Sequence, residues 1–201
     1  MSHDPRPGFP RLVSQKETVL SPWVTVMERA VQLREDAGVE VYHSVLQAPY
    51  VAVLAITRDG RIPLVKQYRP AVDAFTWEFP AGTVDAGESA AEAATRELRE
   101  EAGLRTRELH QIGAYYPDTG RLSMGSTGFF ARCDNAIPAV SPEEGLEIRG
   151  VTLAELVAMV TAGDFRHQMH IALIGSALLH GYLVLPRYDE EVHPGHSQTR
   201  P

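Results

Sequence analysis

Residues Gly82 to Leu104 read GTVDAGESAAEAATRELREEAGL, and the rest of the chain is read outward from them. Asp85-Ala86-Gly87 is made of turn residues. Glu88 to Ala102 holds neither Gly nor Pro and is rich in Ala, Glu, Arg and Leu, so it predicts a helix that Gly103 stops at its C-cap. Ala91, Ala94, Leu98 and Ala102 share an apolar stripe, and Glu97, Glu100 and Glu101 share the stripe beside it. Like charges at these spacings repel by roughly 0.2–0.5 kcal/mol a pair on an exposed helix. Three carboxylates in one turn therefore call for positive charge among them. Hard divalent cations such as Mg2+ take oxygen ligands of this kind, usually a few carboxylates with water and substrate phosphates. The plainer alternative is an acidic face that is only solvated.

A chain of 201 residues suits one domain with an extension and can bury a substantial core. Its net charge is −7, and −4 of that lies in the quoted stretch, which has six acids and two bases. This balance argues against a general nucleic-acid binder, which would carry a basic stripe. The single Cys133 excludes an internal disulfide and sits in a strand-like run, as a buried inert thiol would. Residues 1–11 have no hydrophobic signal core, and the longest apolar stretch, Ile171 to Leu185, is interrupted and too short to span a bilayer. The expected location is the cytoplasm, with no membrane partner.

The prolines of residues 1–16 predict a flexible N-terminus. Residues 17–47 alternate, are rich in Val and turn at Asp36-Ala37-Gly38, which predicts two or three antiparallel strands. A meander that small needs a partner surface. The main domain is expected over 48–186. It starts with a hairpin of Tyr50–Thr57 and Ile62–Tyr68, followed by a short strand from Phe75 to Pro80 and then the helix. Strands over Leu109–Tyr116, Ser126–Cys133 and Leu146–Val151 follow, then helices over Leu153–Thr161 and Gln168–Leu183. Residues 187–201 read as a flexible tail. A mixed sheet with helices on both sides is an α/β/α sandwich, an α/β fold.

The order of residues in the quoted stretch resembles the Nudix box: Gly, five residues, Glu, seven residues, then Arg-Glu-aliphatic-any-Glu-Glu-any-Gly-aliphatic. Gly82, Glu88, Arg96-Glu97-Leu98, Glu100-Glu101 and Gly103-Leu104 fill every specified position. The resemblance implies the Nudix fold and hydrolysis of a nucleoside diphosphate linked to another moiety, with Mg2+ or Mn2+. It also implies Glu97 and Glu101 as the main metal ligands, helped by Glu100 and the carbonyl of Ala81. Arg96 would orient the carboxylates, Glu88 would brace the loop, and Gly82 and Gly103 would serve the backbone.

Gln67-Tyr68-Arg69-Pro70 and Trp77-Glu78-Phe79-Pro80-Ala81-Gly82 resemble the ADP-ribose and nucleotide-sugar pyrophosphatase branch, as does Pro117, thirteen residues beyond Leu104. That branch implies a homodimer through residues 17–47, and AMP and ribose 5-phosphate as products. Arg69 and Glu78 are candidate substrate contacts. Trp23, Phe75, Tyr115 and Tyr116 could stack on a base, although strand aromatics are more often core. His167 and His170, three apart without a third ligand beside them, read as helix-start surface residues. The base that activates water is expected on the loop Ser141–Glu147. Alignment of Val151-Thr152-Leu153 favours Glu144, with Glu147 and Glu143 as alternatives. Rival readings are a Nudix enzyme for GDP-mannose, NADH or (d)NTPs, a non-catalytic nucleotide-binding Nudix domain, and a purely structural acidic helix.

Overall fold

A computed structural model describes residues 8–185, so the tail over 187–201 and residues 1–7 lie outside the described residues. Three strands come first: β1 (Arg11–Ser21), β2 (Val24–Gln32) and β3 (Val39–Leu46). Next are β4 (Tyr50–Ile56), β5 (Ile62–Arg69), β6 (Ala74–Glu78), β7 (Ala81–Thr83) and α1 (Ala90–Ala102). The chain continues through β8 (Thr106–Tyr115), β9 (Ser126–Cys133), β10 (Glu147–Val151), α2 (Leu153–Ala162) and α3 (Gln168–Leu179).

β4 is the spine because its apolar run, Val51 to Ala55, is buried on both faces. Val51, Val53 and Ala55 pack with Ala94, Leu98 and Ala102 of α1 and with Phe129 of β9. Ala52 and Leu54 belong to the opposite core, with Phe130 of β9, Leu156 of α2 and Leu173 and Ala177 of α3. Helices thus cover both sides of the sheet, which is the expected α/β/α sandwich. The central sheet runs β7-β4-β9-β8, and the β4–β9 pairing is parallel, from Tyr50 opposite Ser126 to Ile56 opposite Arg132. A second sheet runs β10-β5-β6, and β1-β2-β3 form the N-terminal antiparallel sheet.

Four expectations need correction. The N-terminal sheet starts at Arg11, inside the span expected to be flexible. Tyr50–Thr57 and Ile62–Tyr68 are joined by a tight turn, with Gly60 at φ 77° and a 2.9 Å bond from Thr57 N–H to the Arg61 carbonyl, but they do not form a hairpin. β4 gives its edges to β7 and β9, and β5 gives its edges to β6 and β10, so the two strands diverge into different sheets. Helix α3 ends at Leu179, not Leu183, because Gly181 adopts a left-handed conformation at φ 74°. On α1, Ala91 is exposed and Ala93 is buried in its place.

Candidate active site

β6 ends in one sheet and β7 begins in another, so the backbone from Glu78 to Gly82 crosses between sheets at the C-terminal half of α1. The helix is held at both ends. Ser89 and Glu92 form a reciprocal capping box, and Gly103 closes the other end at φ 63°. The Ser-x-x-Glu spacing was readable in the sequence and places the helix start at Ala90.

The three carboxylates of the acidic stripe divide. Glu97 and Glu101 are buried along with Leu98 and Ala102, while Glu100 stays exposed. Arg96 gathers the charges. It donates from Nη1 to Glu97 at 2.7 Å and to Glu100 at 3.3 Å, from Nε and Nη2 to Glu88 at 3.0 Å, and from Nη2 to the Thr83 carbonyl at 2.9 Å. Glu88 also accepts the Asp85 N–H at 3.1 Å and so ties the loop before the helix to Arg96. Glu101 accepts the buried N–H of Ala81 at 2.9 Å. A Cβ on Gly82 would lie 2.0 Å from Glu97 Oε1, so only glycine lets this strand and carboxylate meet.

Burial raises both carboxyls. Glu101 is pushed up to about 8, mainly by burial, with the Ala81 N–H opposing and the fields of Glu97 and Glu143 adding. Burial likewise raises Glu97 despite its bond to Arg96. A hard divalent cation would stabilise the ionised form that burial disfavours, so this buried set of carboxyl oxygens fits one. Glu97 and Glu101, with the exposed Glu100 on the same helix and the Ala81–Gly82 backbone against them, are the residues that would hold it.

A second cluster lies next to this one. Glu78, His167 and His170 bring their ligand atoms within 4.8 Å of one another. Glu78 and His170 are already engaged, while His167 Nδ1 is buried without a hydrogen-bond partner among the described residues. Arg69 grips Glu78 through Nε at 2.8 Å and Nη2 at 2.5 Å, and Thr76 donates to it at 2.6 Å. Burial would raise the Glu78 carboxyl, but these bonds outweigh it and hold it below the usual range. His170 Nδ1 accepts the Phe79 N–H at 3.0 Å. A cation here would face the Arg69 guanidinium, which already neutralises Glu78, and this disfavours a second positive charge.

His170 is fully buried, which corrects its reading as a surface residue. The aromatics also differ from the core expectation: Trp23, Phe75 and Tyr116 are exposed. Trp23 stands on the β1–β2 turn, and Tyr115 bonds Ser176 at 2.6 Å. Tyr116 lines a cavity of about 510 Å³ with Arg29, Tyr42, His43 and Arg121, and Pro117 is next to it in the chain. The loop from 116 to 125 leaves the same end of the central sheet as the box loop, since Tyr50 lies opposite both Ser126 and Thr83. Cys133 is buried and its thiol is pushed up to about 11, mainly by burial.

A family model for the NUDIX domain matches residues 46–172. The chain belongs to the NUDIX domain family. It is 34% identical over 117 residues to an ADP-ribose pyrophosphatase of Bacillus subtilis, a match covering 57% of this chain and 63% of that protein. A CMP-5'-(N-acetyl-N-hydroxy-3-aminopropyl)phosphonate hydrolase of Streptomyces rubellomurinus is 30% identical over 147 residues, 71% of this chain and 69% of the other. The solved structure described as "Crystal structure of ADP compounds hydrolase" superposes with a TM-score of 0.71 at 20% identity, covering 86% of this chain and 95% of that one. This likeness shows the fold.

Among the loop glutamates of this Nudix chain, Glu143 is the one whose field reaches both Glu97 and Glu101. Glu143 N–H donates to Ser141 Oγ at 3.1 Å, and Ser141 donates to the Glu101 carbonyl at 2.6 Å, so this part of the loop is fastened to the end of α1. Glu147 pairs across the sheet with Lys66 at 3.2 Å, and Glu143 and Glu144 are both exposed. Alignment by residue order alone could not separate the adjacent Glu143 and Glu144. No described helix is long and apolar enough to cross a membrane.

Proposed function

We propose that this chain hydrolyses the pyrophosphate bond of ADP-ribose, or of a closely related nucleoside diphosphate sugar, in the presence of Mg2+ or Mn2+. The observation that carries the reading is the buried pair Glu97 and Glu101 against the Ala81–Gly82 backbone, with every box position filled. The bound cation would neutralise phosphate oxygens and favour attack by water. Water oxygen bonds to phosphorus, the P–O–P bridge breaks, and a loop carboxylate takes the proton. AMP and ribose 5-phosphate leave.

The chain's own residues divide the work. Arg96 keeps Glu97 and Glu100 oriented, and Glu88 holds Arg96. Arg69 spends Nε and Nη2 on Glu78, which leaves Nη1 to meet a phosphate oxygen. The cavity around Tyr116, Arg29 and Arg121 offers aromatic surface and positive charge for the nucleoside end. The ADP-ribose pyrophosphatases among the relatives favour this substrate, while the Streptomyces phosphonate hydrolase keeps other nucleotide conjugates in view. Incubation with ADP-ribose, ADP-glucose, GDP-mannose, NADH, diadenosine polyphosphates and dNTPs, with products identified, tests the reading. The expected result is fastest conversion of ADP-ribose, lost with EDTA. Faster turnover of GDP-mannose or a dNTP would remove the substrate assignment and leave the hydrolase.

The N-terminal sheet supports a homodimer. Leu12, Val19, Leu20, Val39, Val41 and Tyr42 are exposed on strands with few partners of their own, an apolar patch that a lone subunit rarely shows to water. Light scattering at micromolar concentration is expected to give twice the 22.1 kDa chain mass. A single-chain mass would refute the dimer.

A further inference from the structure

The crossing from β6 to β7 leaves a backbone problem at Phe79. Residues 79 and 80 belong to neither strand, Pro80 has no N–H, and the Phe79 N–H is buried without a strand to pair with. His170, from the first turn of α3, supplies the missing acceptor through Nδ1 at 3.0 Å. The ring is fully buried and set between two others, that of Phe79 at 5.6 Å and that of His167 at 3.9 Å between centroids. With Nδ1 accepting, the proton sits on Nε2, which lies 3.4 Å from the Tyr50 hydroxyl.

Two residues further on, the N–H of Ala81 goes to Glu101 at 2.9 Å. The crossing is thus gripped by side chains from two helices, α3 at Phe79 and α1 at Ala81. Pro80 between them is fixed by its carbonyl, which accepts the Val53 N–H at 2.9 Å. On the other side of Phe79, Glu78 holds Arg69. Release of Phe79 would let the crossing shift and carry the Ala81 N–H away from Glu101 and Gly82 away from Glu97.

We propose that His170 is a positioning residue that sets the cation affinity of the Glu97–Glu101 pair by pinning the sheet-crossing backbone through the Phe79 N–H. This rests on the reading of Glu97 and Glu101 as cation ligands. The role is separable from simple packing because it needs an acceptor at one atom. His170→Asn puts an amide oxygen close to the place of Nδ1, and His170→Leu fills the space without one. Both lose the ring stacking.

The test is Mn2+ binding to the full chain, read as loss of the free-ion EPR signal, with thermal midpoints measured alongside and Glu101→Gln as reference. His170→Leu is expected to weaken Mn2+ binding by about 10-fold or more, within the range seen when supporting groups around a metal site are removed. His170→Asn should stay within about threefold of the parent, although both variants lose thermal stability. Equal weakening in Leu and Asn, or parental binding in Leu, overturns the proposal while Glu101→Gln still loses Mn2+. Unchanged binding in Glu101→Gln overturns the cation assignment itself, and this inference with it. If His170→Leu does not fold, His170→Gln takes its place, since its amide reaches toward Tyr50 and not Phe79.

Discussion

Glu101→Gln is expected to lower cation-dependent turnover by roughly 10²–10⁴-fold, the several kcal/mol a catalytic metal supplies, while making the cation-free protein more stable. The carboxylate is buried and has one backbone donor, the Ala81 N–H, with the negative charges of Glu97 and Glu143 nearby. An amide in the same place can still accept that bond and carries no charge. The sign of the pH dependence follows. The folded protein holds the Glu101 proton up to about 8, whereas the unfolded chain gives it up near 4.5. The stabilisation is complete below about 4.5, falls as pH rises through that window and is gone above about 8. In EDTA the thermal midpoint of the parent should therefore drop relative to Glu101→Gln as pH goes from 5 to 8, by about 2–4 °C for each kcal/mol released. Added Mg2+ or Mn2+ should raise the parent and not the variant. Parallel curves in EDTA would mean that the carboxylate is not under strain. Near-parental turnover in the variant would place the cation elsewhere.

What could be read from the sequence tracks how local the determinants are. The helix from Ala90 to Ala102, its stop at Gly103 and the cluster of Arg96 with Glu88, Glu97 and Glu100 all lie within one short stretch; composition predicted the helix and its stop, and the resemblance to the Nudix box implied the cluster. Burial of β4 on both faces was present in the run Val51–Ala55. Which strands it would pair with was not, because the turn at Arg58–Arg61 is compatible with a hairpin and only the distant segments β7 and β9 decide otherwise. His170 was misread for the same reason. On its own helix it is a polar residue near the start, and its acceptor role exists only because the chain changes sheets 91 residues earlier, at Phe79. The exposed aromatics Trp23, Phe75 and Tyr116 likewise look like core residues until the strands that carry them are seen to be edges or turns.

Glu143→Gln is expected to cut the catalytic rate by roughly 10²–10⁴-fold with little change in ADP-ribose affinity, the range for loss of a general base. Residue order alone favours Glu144, and we propose Glu143 in its place from the way the loop is fastened. Ser141 joins the loop to the last turn of α1 by donating to the Glu101 carbonyl and accepting the Glu143 N–H. That brings the Glu143 charge to bear on Glu97 and Glu101. Glu147 is spent on Lys66, and Glu144, exposed like Glu143, lacks the tie to Ser141 and lies next to the turn at Gly145, whose φ is 87°. A base for water that attacks a cation-bound phosphate must sit near the cation ligands without being one, since a ligand carboxylate loses basicity to the metal. Among the three loop glutamates, Glu143 satisfies both conditions. Glu144→Gln and Glu147→Gln should each lose under about tenfold. Single-turnover rates with ADP-ribose and saturating Mg2+ separate the three variants. If Glu144→Gln shows the large loss and Glu143→Gln does not, the loop closes differently over substrate and Glu144 is the base.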